Sequence, residues 1–242
     1  MLERAVDISR SVARWLWPPH CVLCGQPGQQ SRDLCVGCEA DLLLNDNVCE
    51  HCAEPLPREL SQPTLCGACL RHPPTFDACV APFLYAFPVD RMIQGLKYRR
   101  ELHCGRVLGE LLAGHLSRRQ TRPELVIPMP LALRRYTERG FNQARELALP
   151  LCKSLQLNLR SDVVMRTRET REQTALDRKE RRENMLNAFA LTAPLHAGHV
   201  AIVDDVVTTG STANELAKLL RAAGAEWIEV WAVARAQRKG PA

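Results

Sequence analysis

No stretch of the 242-residue sequence stays apolar long enough to cross a membrane as a helix; charge or proline interrupts even the richest runs within about a dozen residues. The opening MLERAVDISRSVARWLW lacks the unbroken apolar centre of a secretory signal, because Glu3, Asp7, Arg10 and Arg14 fall inside it. It reads instead as a short amphipathic helix over residues 1–18, with Leu2, Val6, Val12 and Leu16 near one face, and the expected location is the cytoplasm. A strong excess of one charge is also missing. A formal +5 and a pI near 8.7 suit an anionic ligand or nucleic acid without specifying either. With 46% hydrophobic and 24% charged residues, disordered and fibrous classes are excluded, and the length allows one large domain or a medium one with a small appendage.

What is abundant is cysteine, and it is unevenly spread. Eight of the 11 cysteines form four C-x-x-C pairs: Cys21/Cys24, Cys35/Cys38, Cys49/Cys52 and Cys66/Cys69. Such a turn points two thiolates at one centre, and two turns complete the tetrahedral sulfur set that Zn²⁺ favours. Two structural zinc ions are therefore expected in a module over residues 19–72. Its turn-rich segments, GQPG at 25–28 and PLP at 55–57, supply too few aliphatics to fold on burial alone. Disulfides would need an oxidising compartment, and a redox role would need one pair beside a βαβ unit, not four in tandem. Adjacent pairs would give two successive ribbons, the favoured arrangement, whereas alternate pairs would give a cross-brace. His20, His51 and His72 flank the knuckles as substitute ligands, but the cysteines already suffice. Such a module serves either as a contact surface for nucleic acid or protein, or as a stapled scaffold on the main domain. Cys79, Cys104 and Cys152 read as small buried hydrophobes.

After the linker RHPPT, residues 76–242 alternate between strand-like and helix-like patterns. ACVAPFLYAF at 78–87 predicts a strand or hairpin, LVIPM at 125–129 a short buried strand, and SDVVMR, HVAIVD and WIEVWAVA three more. Helical patterns cover 89–97, 106–118, 142–155 and 211–223, the last stopped by Gly224. This alternation predicts an α/β fold with a mostly parallel sheet flanked by helices. Ligands in such folds bind beyond the carboxyl ends of the strands.

One such end reads VAIVDDVVTTGST. The loop between the strand and the helix presents backbone amides at a helix N-terminus, a phosphate site, and Thr208, Thr209, Ser211 and Thr212 add hydroxyls while Gly210 allows close approach. Asp204 and Asp205 would repel that phosphate and so must serve another part of the ligand; paired sugar hydroxyls fit them. A Walker loop is excluded, since its second glycine and its lysine are both missing.

AIVDDVVTTGST resembles the phosphoribosyl-pyrophosphate (PRPP) signature of type I phosphoribosyltransferases. With the C-x-x-C knuckles, QGLKYRRE at 94–101, IPMPLALRRYTERGFNQA at 127–144 and QTALDRKERRENMLNAF at 173–189, the whole chain resembles the ComF family, tied to natural competence and DNA uptake. The resemblance implies a type I phosphoribosyltransferase-like fold. It implies that Asp204 and Asp205 bind the ribose hydroxyls and that Val206, Val207, Thr208, Thr209, Gly210, Ser211 and Thr212 bind the 5-phosphate. The implied reaction displaces pyrophosphate from ribose C1 through an oxocarbenium-like transition state, with Mg²⁺ on the ligand rather than in a protein cage. Arg134, Arg135 and Arg139 lie where this fold has its pyrophosphate loop, and Lys97 could assist from a helix end; with Asp204 and Asp205, Arg139 and Lys97 are the expected catalytic residues. Each of these cations could equally be a solvated surface charge. The stretch at 166–182 corresponds to a flexible lid or to a solvated charged helix. Two functions stay open: a PRPP-dependent transferase with an unidentified acceptor, or a DNA-uptake factor that binds single-stranded DNA, with the DNA-uptake helicase machinery as a further candidate partner.

Overall fold

Three short strands and two long ones build a parallel sheet whose order follows from which strands can be buried on both faces. The computed structural model describes residues 18–29, 32–57, 64–167 and 188–237. The expected helix at 1–18, apart from its last residue, and most of the charged stretch at 166–182 lie outside them. Two short helices, α1 (Val36–Ala40) and α2 (Gly67–Arg71), sit in the cysteine-rich part. Then follow β1 (Ala78–Val80), β2 (Phe83–Leu84), α3 (Val89–Arg99), α4 (Leu102–Leu116), β3 (Leu125–Pro128), α5 (Leu133–Arg139) and α6 (Gln143–Leu155). The chain ends with β4 (Val164–Arg166), β5 (Phe189–Leu191), β6 (His199–Val207), α7 (Ser211–Ala222) and β7 (Trp227–Arg235). The main sheet runs β1-β7-β6-β3, all parallel, with β2 also parallel to β7.

The two faces of this sheet carry separate apolar clusters. In β6, Val200 and Ile202 join the cluster shared with α7, while Ala201 and Val203 join the cluster shared with α3, α4 and α6. That period-two split, repeated in β3 and β7, is what a sheet covered on both sides requires. β7 is buried at every residue after Trp227. On the second face, α4 lies close against α6: a Cβ on Gly109 would stand 2.4 Å from the carbonyl oxygen of Leu147 and 2.6 Å from Cγ of Pro150.

Several elements depart from the sequence reading for identifiable reasons. ACVAPFLYAF forms no hairpin, because β1 and β2 both run parallel to β7, in register Ala78↔Glu229 and Phe83↔Ala234. SDVVMR leaves the main sheet and pairs antiparallel with β5, a strand the sequence pattern did not announce. Met165 is exposed and only one side of β4 finds cover, so it cannot serve as a two-faced parallel strand. The expected arginine loop after LVIPMP contains the short exposed helix α5. No described helix is long and apolar enough to cross a membrane.

Candidate functional site

β6 extends three residues beyond the expected end at Asp204, so Asp205 too lies within the strand rather than in the loop. Neighbouring side chains of a strand leave on opposite faces, yet these two carboxylates stay within reach of each other. Asp205, buried, meets the Nζ of Lys97 on α3 at 2.7 Å. The charge of Asp204 in turn stabilises the guanidinium of Arg166 at the end of β4. Burial first, then Arg135, hold that guanidinium below its ordinary range. Burial and then the adjacent Asp205 charge push the Asp204 carboxyl well above the usual carboxylate range, although a backbone N–H from Asp205 and the charge of Lys97 oppose the rise.

The segment that follows turns sharply. Thr208 and Thr209 are exposed, and Gly210 takes a left-handed φ of 76° as the N-cap of α7. That conformation suits glycine. The Oγ1 of Thr209 lies 2.9 Å from Oγ of Ser211 and accepts from the Ser211 amide at 3.3 Å, and no side chain caps α7. The uncapped turn of a 12-residue helix therefore opens toward the carboxyl ends of the strands.

Beside the acidic pair lies a cleft of about 430 Å³ lined by Lys97, Tyr98, Arg100, Arg135, Glu138 and Arg139. Arg139 stacks 5.5 Å over the Tyr98 ring, and its Nη1 is buried without a hydrogen-bond partner. Arg134 is held at 2.9 Å by Glu138, one turn along α5. The cleft thus gathers cations next to two carboxylates, which suits a ligand carrying both anionic and hydroxyl groups.

Away from the cleft, the eight paired cysteines form two sets, Cys21, Cys24, Cys35, Cys38 and Cys49, Cys52, Cys66, Cys69, with the sulfurs of each set within 4.8 Å of one another. Adjacent knuckles pair, and the cross-brace is not formed. Sulfur separations of 3.7 Å for Cys24–Cys35 and for Cys52–Cys66 match the roughly 3.8 Å edge of a ZnS₄ tetrahedron with bonds of about 2.3 Å. Burial opposes ionisation of Cys21, but backbone N–H groups of Cys35, Cys24 and Leu23 outweigh it and bring the thiol down to about 6. In Cys66 burial is likewise outweighed, by the Cys69 amide and by Cys52, to about 7. Each set therefore already stabilises a thiolate, the form a zinc ligand needs. Both Cys₄ clusters fit structural zinc ribbons. Glu101, His103 and Cys104 also converge, but Arg99 holds Glu101 at 2.8 Å and competes with any cation there.

Residues 12–70 match the double zinc ribbon domain family. Over 228 residues the chain is 36% identical to "Competence protein F" of Haemophilus influenzae, an alignment covering 90% of this chain and 97% of that protein. The chain belongs to the ComF family. Within it, "DNA utilization protein YhgH" of Escherichia coli K12 is also 36% identical, over 224 residues, with 90% and 97% coverage. Among solved structures, glutamine PRPP amidotransferase from B. subtilis aligns at 17% identity and a TM-score of 0.37, covering 53% of this chain and 26% of that one.

For this ComF-family chain, the residues named from sequence do not all stand together. Lys97, Arg135 and Arg139 line one cleft, whereas Asp204 and Asp205 stand outside its lining and Asp205 reaches it through Lys97. Lys97 is turned to Asp205. Arg166 and the fully buried Arg235 were not singled out from the sequence. Both are cations that close an apolar strand run at the same end as the acidic pair, and that position was their available signal.

Proposed function

We propose that this protein binds PRPP at the carboxyl end of β6 and transfers its phosphoribosyl group to an acceptor. One observation carries the reading: an acidic pair and an uncapped, hydroxyl-rich helix entrance adjoin a cleft lined by cations, at the carboxyl end of a central parallel strand. The amides and hydroxyls of residues 208–212 would take the 5-phosphate, and Asp204 and Asp205 would accept from the ribose hydroxyls. Arg139, with an unpartnered buried nitrogen, and Arg135 would face the leaving pyrophosphate. Lys97 neutralises Asp205 before the ligand arrives and so keeps the two carboxylates from both repelling it. The crowding that raises Asp204 is relieved by any cation brought with the ligand, so the pair suits a Mg²⁺-bearing pyrophosphate. When bound, Mg²⁺ would offset charge on the departing pyrophosphate. Purified protein given PRPP, Mg²⁺ and a panel of bases and amines should release pyrophosphate; binding of PRPP with no release under any condition would leave a binding protein and end the transferase reading.

A second reading, single-stranded DNA binding in line with the family's competence names, has its own support. Tyr98 and Tyr136 are exposed among Arg99, Arg100, Arg134 and Arg135, a pattern of aromatic faces between cations that accepts unpaired bases. Affinity for an oligodeoxynucleotide should then fall steeply as salt rises, and no binding at low salt would remove this reading.

A further inference from the structure

The phosphate loop is fastened from beneath by the second cysteine centre. Arg235, the last residue of β7, is fully buried and lies in register with Val207. Its Nη1 donates to the carbonyl of Val207 at 2.8 Å and also to that of Thr208, while its Nη2 is paired with the carboxylate of Glu54. Glu54 lies two residues beyond the Cys49–Cys52 knuckle. Its carbonyl accepts from the Cys49 amide at 2.8 Å, and its own amide donates to the Cys52 sulfur. A single residue thus touches two ligands of the centre through its backbone and the loop's anchor through its side chain.

A parallel route reaches the other end of the loop. His51, inside the same knuckle, donates from Nε2 to the carbonyl of Phe76 at 2.6 Å. The Phe76 ring lies beneath Gly210, 3.7 Å from where a Cβ would sit. The Thr75 amide meanwhile donates to Asn214 on α7 at 2.6 Å. Among the described residues the first centre has no such route: Cys21 packs in the opposite cluster, with α3 and α4.

We propose that Glu54 and Arg235 are positioning residues through which occupancy of the second Cys₄ centre sets the conformation of the phosphate loop at 207–212. A buried guanidinium with an unpartnered Nε is a poor stabiliser compared with a packed apolar side chain, so stability alone does not account for it. What arginine supplies is a rigid fork that grips two successive carbonyls and a carboxylate at once. Loss of metal at this centre would free Glu54, release the carbonyls at 207 and 208, and widen the cradle. The inference rests on the proposed reading only for the identity of the ligand; the coupling itself is a property of the fold.

The test is hydrogen–deuterium exchange of the full chain, with zinc content measured alongside. Glu54→Gln, which removes the charge and keeps the shape, should retain both ions and speed exchange in the 207–212 peptide about tenfold, leaving 125–128 unchanged. Glu54→Asp, which keeps a carboxylate, should restore most of the protection. Cys66→Ser should loosen the same peptide, and Cys24→Ser, which removes the first ion, should not. PRPP affinity of Glu54→Gln should fall about tenfold. Unchanged exchange at 207–212 in Glu54→Gln, or equal loosening by Cys24→Ser, overturns the coupling. A wild-type protein that binds no PRPP would sink the proposed ligand, while the exchange result would still decide the coupling.

Discussion

Asp204 and Asp205 are neighbours in sequence with opposite environments, and the difference has a measurable consequence. Asp205 is neutralised by Lys97, whereas burial and then the Asp205 charge push Asp204 up to about 8 from an ordinary 3.8. The folded protein therefore holds this proton more tightly than the unfolded chain does. Its contribution to stability is fully present below the ordinary value and is lost as the pH climbs through the raised one. Asp204→Asn has no such titration. The melting temperature of the variant should gain on the wild type steadily from pH 5 to about pH 8 and then level off; calorimetric scans that stay parallel across that range would show that the carboxyl is not raised. In the same series, Asp204→Asn combined with Asp205→Asn should abolish PRPP binding by titration calorimetry while zinc content and circular dichroism stay unchanged.

At the level of elements, the helix pair α4 and α6 depends on one close approach. Gly109→Ala would place a methyl 2.4 Å from a backbone carbonyl that cannot move without α6. Overpacking of this kind costs about 1–3 kcal/mol, against a helix-propensity gain of at most about 1 kcal/mol. The net effect should be destabilising. Gly114→Ala on the same helix meets no atom within 4 Å, so only the propensity term acts and the urea midpoint should rise. The same elements show how much of the fold sequence could disclose. β6, β7 and α7 were legible because long apolar strands flank a helix with a clear glycine stop. β5 was not, because three residues half covered by a partner carry no period. The run of β6 on to Val207 was hidden for a related reason: that extension comes from pairing with β7. Cysteine spacing disclosed the eight ligands and favoured adjacent knuckles, and the three-dimensional arrangement bears that pairing out.

For the molecule as a whole, the question is whether the zinc ribbons are an appendage or part of the core. Sequence composition suggested a boundary near the RHPPT linker. The packing argues against independence on either side of it. Cys49, Cys52, Ala53, Cys66 and Cys69 share a cluster with Phe76 and the β6 and β7 side chains of one sheet face; Cys21, Leu34 and Leu42 share the cluster of the other. Each ribbon closes one half of the core. Burying Leu34 and Leu42 alone is worth about 1.5–3 kcal/mol apiece, a large part of the roughly 5–15 kcal/mol that holds a whole domain together. A chain beginning at residue 76 is therefore expected to lack a cooperative melt and to bind a hydrophobic dye. Stripping zinc from the full chain should likewise shift the fluorescence of Trp231, which is buried in the sheet and far in sequence from every zinc ligand. A truncated chain that melts sharply within a few degrees of the intact protein would show that the ribbons are a separable module, and that their contacts with the sheet carry little of its stability.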